Sequence, residues 1–256
     1  MKKYEILKDE YNTIRNGNRK LHRIKALKEF TTIHGRVIAK GEIGGYIESE
    51  DNLSQHGDCW VCDNAKVYDE ACVTDDAVVC DRAEVNWHAI VMGEAQINGY
   101  AQVSDYAQVS ENAKICDKAA VAYFSQVSGN AMVCGCAFVD DFAKISGNAV
   151  ISDNAKVLNR ANVLDDAKIF GDAQIVDESC VQGRAEVSGK ALIGGEAIVQ
   201  GDCEVKDRAM VCEYAKLSGA VSVQGDVELR GRAKIKPGYH YHKDFRLQIV
   251  GCLRIE

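Results

Sequence analysis

His88 is the only histidine between residues 57 and 236, and Trp87 precedes it directly. An imidazole titrates near neutrality and can take a proton from a hydroxyl or an amine. Any proton-transfer chemistry in the middle of this chain therefore starts at His88. Steps of eighteen residues from His88 reach Tyr106, Phe124 and Phe142, with Tyr123 and Phe138 close by in sequence. Only eighteen residues of the chain are aromatic, so this concentration is informative. Thiols repeat on the same spacing, as Cys62 with Cys80 and Cys116 with Cys134. His240 and His242 stand two apart, which on a strand puts both on one face. Two ligands without a third do not make a zinc site, and no metal is expected.

A spacing of eighteen is chemically useful only if the chain returns to the same place after eighteen residues. The stretch from Gly129 to Leu158 supplies the reason when it is divided every six residues: GNAMVC GCAFVD DFAKIS GNAVIS DNAKVL. Stepping by six from Val61 to Ile235, all thirty positions are Val, Ile or Leu. The residue two before each is Ala in most hexads and otherwise Cys, Ser or Val. Gly, Asp, Asn or Glu usually follows two residues after the aliphatic. Neither a helix nor a plain alternating strand has this period, whereas internal repeats of fixed register build solenoids.

Each hexad reads as a short strand and a corner. The aliphatic and the small residue two before it point inward, while the residue between them, such as Lys144 or Lys156, faces solvent. Gly, Asp and Asn accept corner dihedrals at low cost. Three hexads make a triangular coil, so residues 57–236 are expected to form ten coils. Columns eighteen apart then stack at about 4.8 Å. Glu70, His88, Tyr106, Phe124 and Phe142 form one such column at an outer edge, with Trp87 and Tyr123 in the adjoining corner column and Phe138 on the flat face beside it. Exposed contiguous apolar surface usually marks an interaction site, although ring ladders also stabilise a sheet by themselves. The thiol columns fall within the Cα range of a disulfide. A flat column does not supply a tetrahedron of zinc ligands, so they are read as packed thiols.

The hexads resemble those of the left-handed parallel β-helix, hexapeptide-repeat proteins, a family that includes many acyltransferases. The resemblance covers about 180 of the 256 residues. It implies an all-β triangular solenoid and supplies the left hand, since most parallel crossovers are right-handed. Many members are trimers, so a homo-oligomer, dimer or trimer, is expected. One fold hosts many functions, so the resemblance specifies fold more sharply than activity.

Residues 1–56 read as a β-rich N-terminal cap and 237–256 as a C-terminal capping strand, because a solenoid must cover its ends. The cap resembles that of a group of bacterial and phage-borne hexapeptide-repeat proteins without an established activity. The matching residues are Arg23, Ile24, Ala26, Leu27, Gly44, Gly45, Tyr46, Ile47, Ser49, Glu50, Asn52, Leu53 and Ser54.

Composition narrows the partners. The net charge is −7, with seventeen Lys and Arg against twenty-eight acids in residues 57–236. Nucleic acid needs a basic stripe, so none is expected as a partner. No apolar run is long enough to span a membrane. The opening MKKYEILKDEYNTIRNGNRK lacks a signal-peptide core, and eleven scattered cysteines fit free thiols in a reducing compartment. The expected location is cytoplasmic.

Three functions remain open. The first is a non-enzymatic scaffold or binding protein that contacts another copy or a partner through the aromatic edge, with no cofactor. The second is an acyltransferase with His88 as general base and acyl-CoA as donor. The third is a phage-type protein that sequesters a nucleotide-like ligand or blocks a host protein. The unbroken register between Val61 and Ile235 weighs against catalysis, because sites usually interrupt repeats.

Overall fold

The computed structural model describes residues 2–14, 19–236, 240–241 and 248–249. They fall into two compact units, Met1–Gly129 and Asn130–Glu256. Both are parallel β-solenoids, and along the chain they make about eleven turns of roughly 18 residues. The only helix among the described residues is one 3-10 turn, Glu50–Asn52.

In the first unit the hexad rule holds at every inward position. Glu84–Val85 pairs in parallel with Lys66–Val67 on one side and Gln102–Val103 on the other. Backbone bonds run from coil to coil, as from the Trp60 N–H to the Ala77 carbonyl at 3.1 Å and from the Cys62 N–H to the Val79 carbonyl at 2.8 Å. The inward residues, such as Ala83, Val85, Ala101 and Val103, are fully buried. Each buried Val contributes about 1.5–3 kcal/mol relative to exposure. Val, with its branched side chain, also suits a pleated surface. The second unit repeats the pattern, with Val133 and Val139 buried and Lys144 and Lys156 exposed.

Parallel pairing begins earlier than residue 57. The strands β1 (Tyr4–Ile14) and β2 (Arg19–Ala26) form an antiparallel hairpin. The strands β3 (Phe30–Thr31) and β4 (Val37–Ile38) form a second, short one. Next comes β5 (Ile43–Ile47), which pairs antiparallel with β2 on one side and parallel with Lys66–Val67 on the other. Ile47 lies level with Val67 and Leu53 with Val73, a coil of twenty residues rather than eighteen. One irregular coil thus sits inside the segment expected to be cap alone.

The run of cap residues from Gly44 to Ser54 is explained by this junction. A Cβ on Gly44 would sit 2.6 Å from the Val61 carbonyl oxygen, and one on Gly45 would sit 2.7 Å from that of Ala65. Only glycine lets β5 approach the next coil so closely. Asn52 is fully buried, and its Oδ1 accepts the Glu48 and Ser49 N–H groups at 3.0 and 2.9 Å. Its Nδ2 donates to the Ala71 carbonyl at 2.8 Å. The motif is a splice between cap and coils.

Trp60 departs from the in/out rule. It occupies an outward position between Cys59 and Val61, yet it is fully buried. Phe30 and Tyr4 pack edge-on against its indole, with centroids 5.4 and 6.3 Å away. The cap has folded over this face and built a second apolar cluster there. Lys3 is sealed beneath it, donating to the Cys59, Gly57 and His56 carbonyls at 2.8, 3.2 and 3.4 Å. Burial holds this ammonium below the ordinary lysine pKa.

In the second unit His240–Tyr241 pairs in parallel with Ser222–Val223, and Gln248–Ile249 with Glu228–Leu229. The rest of 237–256, including Pro237 and His242, lies outside the described residues, and His240 is described in its backbone alone. Among the described residues no helix is long and apolar enough to cross a membrane.

Candidate functional site

Every described corner of the coils holds a left-handed residue two positions after the inward aliphatic. Gly, Asp, Asn and Glu fill these positions, with two exceptions: Trp87 at φ 57° and Tyr123 at φ 52°. A bulky L-residue is disfavoured in this region by about 1–2 kcal/mol, whereas Asn and Asp tolerate it. Many corner carboxylates also accept the corner N–H of the next coil. Asp75 takes that of Gly93 at 3.0 Å and Asp81 that of Gly99 at 2.9 Å. An indole or a phenol ring has no carboxylate to offer in this role. Both exceptions lie in one column, alternating with Asp69 and Asp105, and they mark the place where the repeat gives up local stability.

The next residue along each corner of this column is Glu70, His88, Tyr106 and Phe124. The His88 and Tyr106 rings stack at 4.5 Å with 12° between planes, and Tyr106 and Phe124 at 4.9 Å with 4°. This spacing is imposed by the strand separation, so the ladder follows from the register. Trp87, Tyr106, Tyr123 and Phe124 remain half exposed, between 45% and 52%. The apolar edge anticipated from the columns is present in the first unit.

His88 is oriented as well as stacked. Its Nδ1 lies 3.0 Å from Glu70 Oε2. In a neutral imidazole, a carboxylate at Nδ1 favours the hydrogen there, which makes Nε2 the acceptor. Beside this pair is a cavity of about 390 Å³ lined by Arg19, Glu48, Ser49, Asp69, Glu70, Trp87 and His88. Arg19, from β2, reaches over to pair with Glu48 at 2.8 Å and with Asp69. Asp69 in turn accepts the Trp87 N–H at 3.3 Å. The cavity therefore carries three carboxylates against one guanidinium, one wall of indole and one imidazole.

Arg19 and Glu48 are the residues that column reading misses. They belong to the cap, which does not share the eighteen-residue period, and nothing in their own sequence context points toward His88. Asp69 is different, since it stands eighteen residues before Trp87 and is legible as its neighbour.

Phe138 and Phe142 belong to the second unit. Phe142 is half exposed, and the Arg160 guanidinium carbon lies 6.0 Å from its ring centroid. Phe138 is half-buried on Phe138–Val139, which pairs with Lys156–Val157. Among the thiols, Cys62 and Cys80 do fall on consecutive coils of the first unit, while Cys116 falls in the first unit and Cys134 in the second. No described cysteine is in a disulfide. No protein-family model and no curated protein matches this sequence.

Proposed function

We propose that this chain is a non-enzymatic binding protein whose contact surface is the aromatic corner of the first unit. The observation that carries this reading is the conformation of Trp87 and Tyr123. Bulky aromatics held in left-handed corners, where the other described corners use Gly, Asp, Asn or Glu, are locally costly. Strain of this kind clusters at functional sites. The rings beside them are half exposed, and aromatic residues near the centre of an interface supply much of its affinity. Covering them removes apolar surface from water at about 25 cal/mol per Å².

A second copy of this chain is the occupant to test first, because the resemblance implies homo-oligomers. In sedimentation velocity the parent chain should exceed the monomer mass. Tyr106→Glu with Phe124→Glu should reduce it to the monomer while circular dichroism stays unchanged. A parent chain that is monomeric and retains no protein or ligand through purification sinks the proposal.

Acyl transfer is the second reading, and the Glu70–His88 pair at 3.0 Å favours it. Nε2 would take the proton of an acceptor hydroxyl or amine as the acceptor attacks the thioester of an acyl-CoA, which would be the donor. CoA release that disappears in His88→Ala would establish this reading over the first.

A further inference from the structure

A different corner of the first unit, next to the cap, brings together Cys62, Asp63 and Cys80. One donor atom from each lies within 4.8 Å of the others. The thiols come from consecutive coils, since Trp60–Val61 pairs with Val78–Val79. Two sulfurs in a flat column cannot begin a tetrahedron by themselves. Asp63 changes that, because it is a left-handed corner residue at φ 51° and adds an oxygen donor beside the two sulfurs. Cys62 is fully buried, Cys80 is half-buried, and the Asp63 side chain is 42% exposed, so the group has a closed side and an open side.

We infer that Cys62, Cys80 and Asp63 form a binding site for a thiophilic divalent cation of the zinc and cadmium class, with a solvent oxygen as the fourth donor. Two thiolates select borderline-soft ions over magnesium or calcium, which demand oxygen ligands. Three donors plus one open position is the arrangement of an accessible tetrahedral centre. Charge also balances. Two thiolates and a carboxylate around a dication leave one negative charge, and the Arg36 guanidinium, 3.5 Å from each Asp63 oxygen, compensates it. Arg36 belongs to the cap, so the site joins the cap to the coils.

A thiol must give up its proton to ligate a metal, so binding forms two metal–sulfur bonds and one metal–oxygen bond and releases the thiol protons to solvent. Affinity must rise with pH for this reason.

The test is a titration of the reduced full-length chain with Co²⁺ and, separately, with Cd²⁺ in the absence of oxygen. A thiolate-to-metal charge-transfer band should grow and should be greatly diminished in Cys80→Ser. Proton release in weakly buffered solution should accompany it. Asp63→Asn keeps a residue suited to the left-handed corner and should weaken binding at least about tenfold, as loss of an orienting metal partner typically does. Cys136→Ser, an exposed thiol in the second unit, should leave the titration unchanged. Absence of the band in the parent chain overturns the inference, as does a band that survives Cys80→Ser. A band lost in Cys80→Ser but bound with parental affinity in Asp63→Asn overturns the three-donor site.

Discussion

Trp87→Asn should make the first unit more stable, which is the reverse of what removing a large aromatic normally does. The left-handed corner at φ 57° disfavours tryptophan by about 1–2 kcal/mol and asparagine by much less. Asparagine also brings an acceptor. Asn159, at another corner, takes the Asp177 N–H on its Oδ1 at 3.2 Å, and a hydrogen bond of this kind contributes about 1 kcal/mol. Against these gains stands the buried half of the indole, since Trp87 is 49% exposed. Half of the roughly 3 kcal/mol for a fully buried large side chain is about 1.5 kcal/mol. The balance is a stabilisation of about 1 kcal/mol. The assay is urea denaturation followed by the fluorescence of Trp60, the chain's other tryptophan, which is buried beneath the cap and reports the same unit in both proteins. Oligomer mass is measured in parallel and should fall. A loss of stability of 2 kcal/mol or more would refute the reasoning, because Trp87 would then be an anchor of the coil and its strained backbone would have no functional meaning.

Other outcomes follow from the same structure. Val133→Asp places an unpaired charge at a fully buried position and should unfold several coils, whereas Lys144→Asp on the exposed face should stay within about 0.5 kcal/mol of the parent in a urea titration followed by circular dichroism. Gly45→Ala would set a methyl 2.6 Å from Val61 Cγ1 and 2.7 Å from the Ala65 carbonyl, and calorimetry should register a cost of about 1–3 kcal/mol. Lys3 binds its proton less tightly when folded than when unfolded, so the unfolded chain holds more protons between the depressed value and 10.5. Folding stability attributable to Lys3 must then rise with pH across that window, and Lys3→Met should lack this rise when stability is compared at neutral and alkaline pH.

The coils were legible because every hexad repeats the same physical decision. Val85, Val103 and Val121 are buried for the reason that Val61 is, and one register error would have turned them all outward. The stacked His88, Tyr106 and Phe124 were legible for a related reason, since columns eighteen apart become neighbours wherever coils stack. The cap was not legible in this way. Trp60 occupies an outward position by the hexad rule and is buried because Tyr4 and Phe30 arrive from distant sequence. Arg19 reaches the His88 cavity across a hairpin whose register involves a bulge between Leu7 and Tyr11. The extra coil at Ile47 and Leu53 was hidden by its length of twenty. In each case the controlling contact is a tertiary one, with no period to announce it.

The position of the departures also bears on what the corner does. Catalysis by a His–Glu pair depends on excluding water, because preorganised charges act strongly only where the dielectric is low. The Glu70 side chain is 78% exposed, and a polar contact so open to solvent is worth little. One face of the imidazole is covered by Tyr106, which narrows the directions from which an acceptor can reach Nε2. The chain has lengthened no loop over this corner between Val61 and Ile235. What it has done is replace Gly, Asp or Asn by Trp87 and Tyr123 without changing the length of a single hexad. A surface altered in chemistry without a change in hexad length, with rings half exposed, suits contact with a second body. Acyl transfer at His88 would need a second body to wall off the pair. On either reading, the proposed function needs a second body over the rings.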